Sequence, residues 1–200
     1  NIYFYELGTQ MSIDGWHNTM LNFNFGQLTN IDLPGEKVGI VPSESYLNDK
    51  YGTRGWGRGN LLNFVIGQGE LLATPIQMIH LLNIIVNEGI AVQPRLLMNK
   101  SEVFKEINIK KTIFQIIKNS LIMAVESEDG TAQGARIKDI EVGGKTGTSQ
   151  NPHGEHHSIF VGFIKMDDTI LTIVVLVENG GLGSGLATQI ARRLFKHYIK

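Results

Sequence analysis

Two hundred residues, 42% of them hydrophobic, suffice for one globular domain with a substantial core, or for part of a larger one. A formal net charge of −1 without any basic run gives no electrostatic reason to expect nucleic acid. With no cysteine, neither a disulfide nor a thiolate zinc site is available, which suits the cytosol and an oxidising compartment alike. The chain opens on "NIYFYELG", with no initiator Met and already amphipathic, and so reads as a piece of something longer. Aromatic and aliphatic residues at helical spacing predict a short helix over Asn1–Met11. Residues 26–63, dense in Gly, Asn and Ser, are expected to form ordered but irregular loop. "ATPIQMIHLLNIIVNEG" is the clearest helix: Thr74 suits its N-cap, Pro75 its first turn, and Gly89 the position past its end. Apolar residues surround its axis, which predicts burial.

"KTIFQIIKNSLIMAVESEDG" predicts a more amphipathic helix that Gly130 stops. Three strands follow, at about 140–149, 157–165 and 169–178, with "MDD" as the tight turn between the last two. Ser184 is then placed to cap a final helix with Leu186, Ile190 and Leu194 on one face. Helices, an antiparallel meander and a packing helix point to an α+β fold. No apolar run reaches the roughly 18 residues of a membrane-spanning helix, and no secretory leader is recognisable.

The first of the three strands carries unusual chemistry. "GGKTGTSQ", Gly143–Gln150, sets a lysine and three hydroxyls where a strand would ordinarily hold valines. Gly143 and Gly144 would let a backbone or ligand approach closely. Alternation places Lys145 and Gly147 on one face and Thr146 and Thr148 on the other. Lys145 would bring positive charge to a proton network, and the two threonine hydroxyls form a pair suited to a carboxylate. On an edge strand, the Thr148 N–H would serve as an oxyanion donor. Three residues recur by chance in many proteins, so K-T-G alone also fits a strand that ends in a polar turn.

The context of K-T-G narrows this. It is the third element of the set S-x-x-K, S-x-N and K-T-G. Around it stand "NIYFYELGTQMSID", "FGQLTNIDLPGE", "IGQGELLATPIQM", "NEGIAVQPRLL", "VGGKTGTSQ" and "HSIFVGFI", spread over nearly the whole chain. In these segments the chain resembles the transpeptidase domain of class B penicillin-binding proteins, the elongation-type group in particular. The resemblance implies the C-terminal part of a single transpeptidase domain over residues 1–200, with the β-lactamase-like, penicillin-recognising fold. It also implies a peptidoglycan D,D-transpeptidase in the parent protein. There a serine attacks a D-Ala-D-Ala stem peptide, releases D-Ala and passes the acyl group to a neighbouring amine, and β-lactams leave a stable acyl-enzyme.

Carried over by resemblance, the catalytic residues are Lys145, Thr148 and Asn1, the last aligned with the asparagine of S-x-N. Thr146, Gly147, Thr148 and Ser149 are the implied substrate-binding residues. No cofactor is implied. The implied partners are the stem peptide, β-lactams, a membrane glycan polymerase and the elongation machinery, and not nucleic acid. The implied location is the periplasmic side of the bacterial inner membrane.

The sequence departs from the pattern in one respect. None of its serines begins an S-x-x-K, so the nucleophile is expected upstream of residue 1 and the fragment alone is expected to be inactive. "YLN" at Tyr46–Asn48 and "SQN" at Ser149–Asn151 match S-x-N only loosely and read as chance. The alternatives are a β-lactamase or penicillin sensor of the same fold, and a non-catalytic interaction module.

Two other constellations point elsewhere. "HGEHH" holds His153, Glu155, His156 and His157, but its spacing fits neither H-E-x-x-H nor H-x-x-E-H. It reads as a loop beside the substrate groove. "VENGGLGSGLATQIARR" imitates a dinucleotide fingerprint but lacks the third glycine and a following βαβ unit, so its glycines read as a turn ending the last strand. Trp56 and Arg58 among glycines suit either packing or a sugar- or partner-binding loop.

Overall fold

The computed structural model describes residues 1–98, 104–151, 153–167 and 169–199. Its packing divides into two compact units, Asn1–Gln77 with Pro94–Lys100 and Met78–Gln93 with Ser101–Lys200. Both contain helices, and the second holds antiparallel sheet, so the chain is α+β as expected.

The first unit is built on helices α1 (Ile2–Thr9), α2 (Ile13–Asn22), α3 (Glu44–Tyr51) and α4 (Arg58–Phe64). The sequence predicted only α1. The region expected as irregular loop contains α3 and α4, and α2 went unforeseen. The start signals of α2 and α3 are single serines: the Ser12 hydroxyl accepts the Gly15 N–H at 3.0 Å and the Ser43 hydroxyl accepts the Tyr46 N–H at 3.1 Å. Helix α4 starts at Gly57, whose N–H is accepted by Asn60 Oδ1 at 3.1 Å. Each helix has too few turns to show a clear apolar period. What orders them is a shared core of Trp16, Leu47, Leu61 and Phe64, with the Trp16 and Phe64 rings 5.2 Å apart. Trp56 packs against this core and donates its indole N–H to Asn48 Oδ1 at 2.7 Å, so it serves packing.

Helix α5 (Pro75–Val86) begins in the first unit and continues into the second. Its N-terminus is a reciprocal box: Thr74 Oγ1 accepts the Gln77 N–H at 3.3 Å, and Gln77 Oε1 accepts the Thr74 N–H at 2.9 Å. At its end the Gly89 N–H reaches Ile84 O and the Glu88 N–H reaches Ile85 O. This closure needs left-handed backbone, at φ 54° for Glu88 and 100° for Gly89.

The second unit has a two-stranded ribbon, β1 (Ile90–Val92) with β2 (Phe104–Glu106), and helix α6 (Lys111–Glu126). A three-stranded antiparallel sheet follows in the order β3 (Glu141–Ser149), β4 (His157–Met166), β5 (Thr169–Val177). These strands match the expected ranges closely, and β3 lies on one edge. Asp168 of the "MDD" turn lies outside the described residues. Among the described strands, β5 has a neighbour on one side only. One sheet face packs Val142, Phe160 and Ile164 against Ala187, Ala191 and Phe195 of helix α7 (Leu186–Tyr198). The other packs Phe163 against Leu82 and Val86 of α5, with Leu121 and Ile122 of α6 alongside.

Two expectations need correction here. The packed face of α7 is Ala187, Thr188, Ala191 and Phe195, whereas Leu186 and Leu194 are 45% and 50% exposed. Small residues let the helix lie close to the sheet, and that outweighs the larger burial the leucines would offer. Ser184 is also not the cap, because Gly185 holds that position and no side chain caps the helix.

Candidate active site

Helix α6 ends at Glu126, and the chain doubles back through Gly130–Ala132, where the Ala132 N–H bonds Ala124 O at 2.9 Å. This brings Thr131 beside the outer edge strand β3. A short 3-10 turn, Gln133–Ala135, leads into that strand. From the opposite edge of the sheet, the segment after β5 returns to the same strand: the Gly183 N–H donates to Thr148 Oγ1 at 3.1 Å. Gly183 sits so tightly on the backbone of Gly147 that a Cβ there would lie 2.0 Å from Gly147 O. A cavity of about 530 Å³ results, lined on its hydroxyl side by Thr131, Thr146, Thr148 and Ser184, with Glu128 and Asp129 at its acidic side.

Thr146 Oγ1 donates to Thr131 Oγ1 at 3.3 Å. Lys145 Nζ donates to Thr146 O at 2.8 Å and reaches Thr146 Oγ1 at 3.5 Å. Simple alternation puts Lys145 and Thr146 on opposite faces, but the long lysine stem curls round the strand edge and brings its ammonium to the threonine. Loss of hydration there holds the lysine below its usual pKa, so it stands nearer to giving up a proton than an ordinary surface lysine. Hydroxyls lining a cavity, with a cation bonded to one of their residues, can hold an anion and pass a proton.

The glycines before the lysine have in part a different role from the one their type suggested. A Cβ at Gly143 would lie 2.4 Å from the Phe163 ring, and one at Gly144 2.4 Å from the Phe160 ring. They make room for buried aromatic rings of β4, and Gly144 also for the Val161 carbonyl, which a Cβ would meet at 2.9 Å. Gly147 and Ser149 pair in register with Ile159 and His157, so both belong to the sheet ladder at the end of the edge strand. Asn1 belongs to the first unit, where it is exposed at the start of α1 and its carbonyl accepts the Tyr5 N–H at 3.0 Å.

Lys145, Thr146 and Thr148 are thus grouped in the second unit. Sequence reasoning missed Thr131 and the Leu182–Ser184 segment. For Thr131 the signal was the break after α6, where "GTA" follows the end of the helix and turns the chain back toward the strand. Of the "HGEHH" loop, His157 begins β4, and Asn151 and Asn179 tie the loop to the segment after β5 through a bond of 2.9 Å.

The profile of the penicillin-binding protein transpeptidase domain matches residues 1–196. The peptidoglycan D,D-transpeptidase MrdA of Acinetobacter baumannii is 32% identical over 98% of this chain, and that of Escherichia coli K12 is 27% identical over 98%. The chain spans about a third of the length of these relatives, 33% and 35% respectively. Among solved structures, penicillin-binding protein PBP2 of Helicobacter pylori in complex with MreC superposes with a TM-score of 0.87 at 30% identity. The match covers all of this chain and 38% of that one. PBP2 of Pseudomonas aeruginosa in complex with WCK 5153 gives 0.86 at 28% identity, covering 98% of this chain and 46% of that one.

Proposed function

This chain belongs to the penicillin-binding protein transpeptidase domain family, and we propose that it supplies the K-T-G side of a peptidoglycan D,D-transpeptidase that β-lactams acylate. The observation that carries this is that Thr131, Thr146 and Thr148 line one cavity at the sheet edge, with the Lys145 ammonium bonded to Thr146 beside it.

The chemistry follows from the parts. A stem peptide ending in a carboxylate lays its main chain along the outer edge of β3, adding a strand through backbone hydrogen bonds. The hydroxyls of Thr146 and Thr148 receive the carboxylate. The Lys145 ammonium, short of water, offsets the negative charge and relays a proton toward the leaving group. The Thr148 N–H stabilises the oxyanion as the tetrahedral intermediate forms. Gly147 and Ser149 complete the strand against which the peptide lies; Asn1, in the other unit, enters the proposal only through its match to the asparagine of S-x-N. None of the nine serines begins an S-x-x-K, so the nucleophile comes from outside these residues. We read the chain as the C-terminal part of a single transpeptidase domain.

By the same reading the parent protein faces the periplasm from the inner membrane and works with a glycan polymerase and the elongation machinery. Two neighbours are consistent with that: one is a complex of PBP2 with MreC, the other a peptidoglycan synthase complex. No helix of the described residues is long and apolar enough to cross a membrane.

The deciding experiment is labelling of the full-length parent with a fluorescent penicillin, followed by peptide mapping. One covalent adduct on a serine of an S-x-x-K is expected, with none on residues 1–200. An adduct on this chain's own residues would overturn the assignment of the nucleophile. Rapid hydrolysis of nitrocefin in place of a stable adduct would favour a β-lactamase.

A further inference from the structure

The segment after β5 reaches the site through a chain of bonds that starts at a histidine. The Asn179 N–H donates to His157 Nδ1 at 3.0 Å, and a backbone N–H can only donate. That nitrogen is therefore unprotonated in this conformation, and the ring's proton sits on Nε2. The same segment is pinned again a little further on. The Gly181 N–H donates to His156 O at 2.9 Å, and Ser158 Oγ donates to Leu182 O at 3.0 Å. The Gly183 N–H then meets Thr148 Oγ1 at 3.1 Å. A second imidazole is used similarly but more weakly, the Asn151 N–H lying 3.4 Å from His156 Nδ1.

We propose that His157 is a proton-gated positioning residue for the K-T-G strand: neutral, it fastens Asn179–Gly183 and so seats the Thr148 hydroxyl; doubly protonated, it lets that segment go. A second proton turns Nδ1 from acceptor into donor and sets it against the Asn179 N–H, so the bond is replaced by donor facing donor. In the half-buried ring it is Nδ1 that meets the segment, so the imidazolium offers the Asn179 N–H no acceptor there. The titratable groups on the segments that meet here are His153, Glu155 and His156 between β3 and β4, and Glu178 after β5. Among the described residues, none of them bonds to the His157 ring, so no carboxylate holds the imidazolium in place of the lost bond. On β3, Lys145 stands opposite Val161, further along the strand. His157 touches no substrate, and its role rests on the reading that Thr148 seats the substrate carboxylate.

The test uses the full-length protein and two readouts. The first is hydrogen–deuterium exchange of peptides covering 178–184 at about pH 7.5 and about pH 5.5, corrected for the intrinsic pH dependence, across the range in which imidazoles titrate. The second is the acylation rate with a chromogenic penicillin over the same range. His157→Asn keeps an acceptor near the Nδ1 position and does not titrate. Wild type is expected to lose protection in acid and to slow by about five- to tenfold, the equivalent of one lost hydrogen bond. His157→Asn should hold both readouts nearly constant, and His156→Asn should behave as wild type. An unchanged acid response in His157→Asn, or undiminished protection of 178–184 in the wild type at acid pH, overturns the gate. Loss of protection without any change in rate would keep the gate and instead overturn the role given to Thr148. The wild-type exchange result stands alone should His157→Asn fail to fold.

Discussion

Two stretches of this chain are rich in polar residues and glycine, and they use them in opposite ways. In the first unit, around "LTNIDLPGE", polar side chains serve the backbone. The Glu36 carboxylate accepts the Thr29 N–H at 2.7 Å, the Thr29 hydroxyl at 2.6 Å and the Asn30 N–H at 3.1 Å. Asp32 accepts the Leu96 and Leu97 N–H groups at 2.6 and 2.9 Å. Gln77, fully buried, donates to Gln27 O and Val38 O at 2.9 Å each while its Oε1 closes the α5 cap. In the second unit, around "GGKTGTS", hydroxyls meet one another and a cation at 3.3 and 3.5 Å on the wall of a cavity. Carboxylates and amides spent on main-chain groups of distant segments mark scaffold. Longer bonds among side chains facing open volume mark a site in which a ligand can improve on what is there.

That contrast can be broken most forcefully at Gln77. Gln77→Leu keeps the volume but strands a buried N–H and two carbonyls. At about 1–3 kcal/mol for each such group, a loss on the order of 4 kcal/mol is expected, read as a fall in the urea midpoint with unchanged slope. A variant within about 1 kcal/mol of wild type would mean the glutamine is no more structural than the threonines of the site.

Lys145→Ala should show the reverse profile in the full-length protein. Acylation is expected to fall about 100- to 1000-fold, as when a preorganised electrostatic group is removed. Stability should stay within about 0.5 kcal/mol of wild type, because the side chain gives up hydration to sit where it does. The pH dependence sharpens this. Desolvation lowers the folded-state pKa of Lys145, so the unfolded chain keeps the proton to higher pH. Stability therefore rises with pH through the lowered value, while a rate that needs the ammonium falls there. Lys145→Arg, which stays charged, should move that alkaline limb upward even though it lowers the rate. A limb at the same pH in the arginine variant would assign it to another group.

A mixed case lies in between, at the glycines of the strand. Gly143→Ala would press a methyl into the fully buried Phe163 ring, at a cost of about 1–3 kcal/mol measured by denaturant unfolding. If alanine instead left stability untouched but impaired acylation, the glycine would be there for a ligand after all.

The same contrast explains what was legible in the sequence. The three strands of the larger sheet could be read to within a residue or two, β4 and β5 from their β-branched and aromatic runs and β3 from its place before them. Helix α5 could be read from Thr74, Pro75 and Gly89, but the short ribbon of β1 and β2 was not foreseen. K-T-G was legible as chemistry because a cation and hydroxyls in a strand have no packing explanation. Helices α2, α3 and α4 were not, since a lone serine cap, or for α4 a glycine, among glycines and asparagines looks like a turn until the Trp16–Phe64 core is known. The packed face of α7 was obscured because Ala187 and Ala191 carry little hydrophobic signal of their own, yet only they let the helix approach the sheet. Thr131 was hidden for a similar reason: its partner Thr146 lies 15 residues away, and a chain reversal after α6 brings them together.

Thr131 also provides the finest test. Its hydroxyl accepts from Thr146 at 3.3 Å, a long bond, and it lies on an exposed wall. Thr131→Val removes the acceptor and keeps the shape. If Thr131 only fills space, valine should act as wild type in every assay. If it steers the Thr146 hydroxyl, the freed rotor populates orientations that miss the carboxylate, and acylation should drop by about two- to fivefold, as for the loss of a modest net hydrogen bond. Thr131→Ser restores the acceptor while giving up a methyl, so it should recover most of the rate. The loss should appear in the concentration of penicillin needed for half-maximal acylation more than in the limiting rate, because a carboxylate is held in the ground state as well as in the transition state. Serine and valine behaving alike would remove Thr131 from the site and leave Thr146 to be oriented by Lys145 alone.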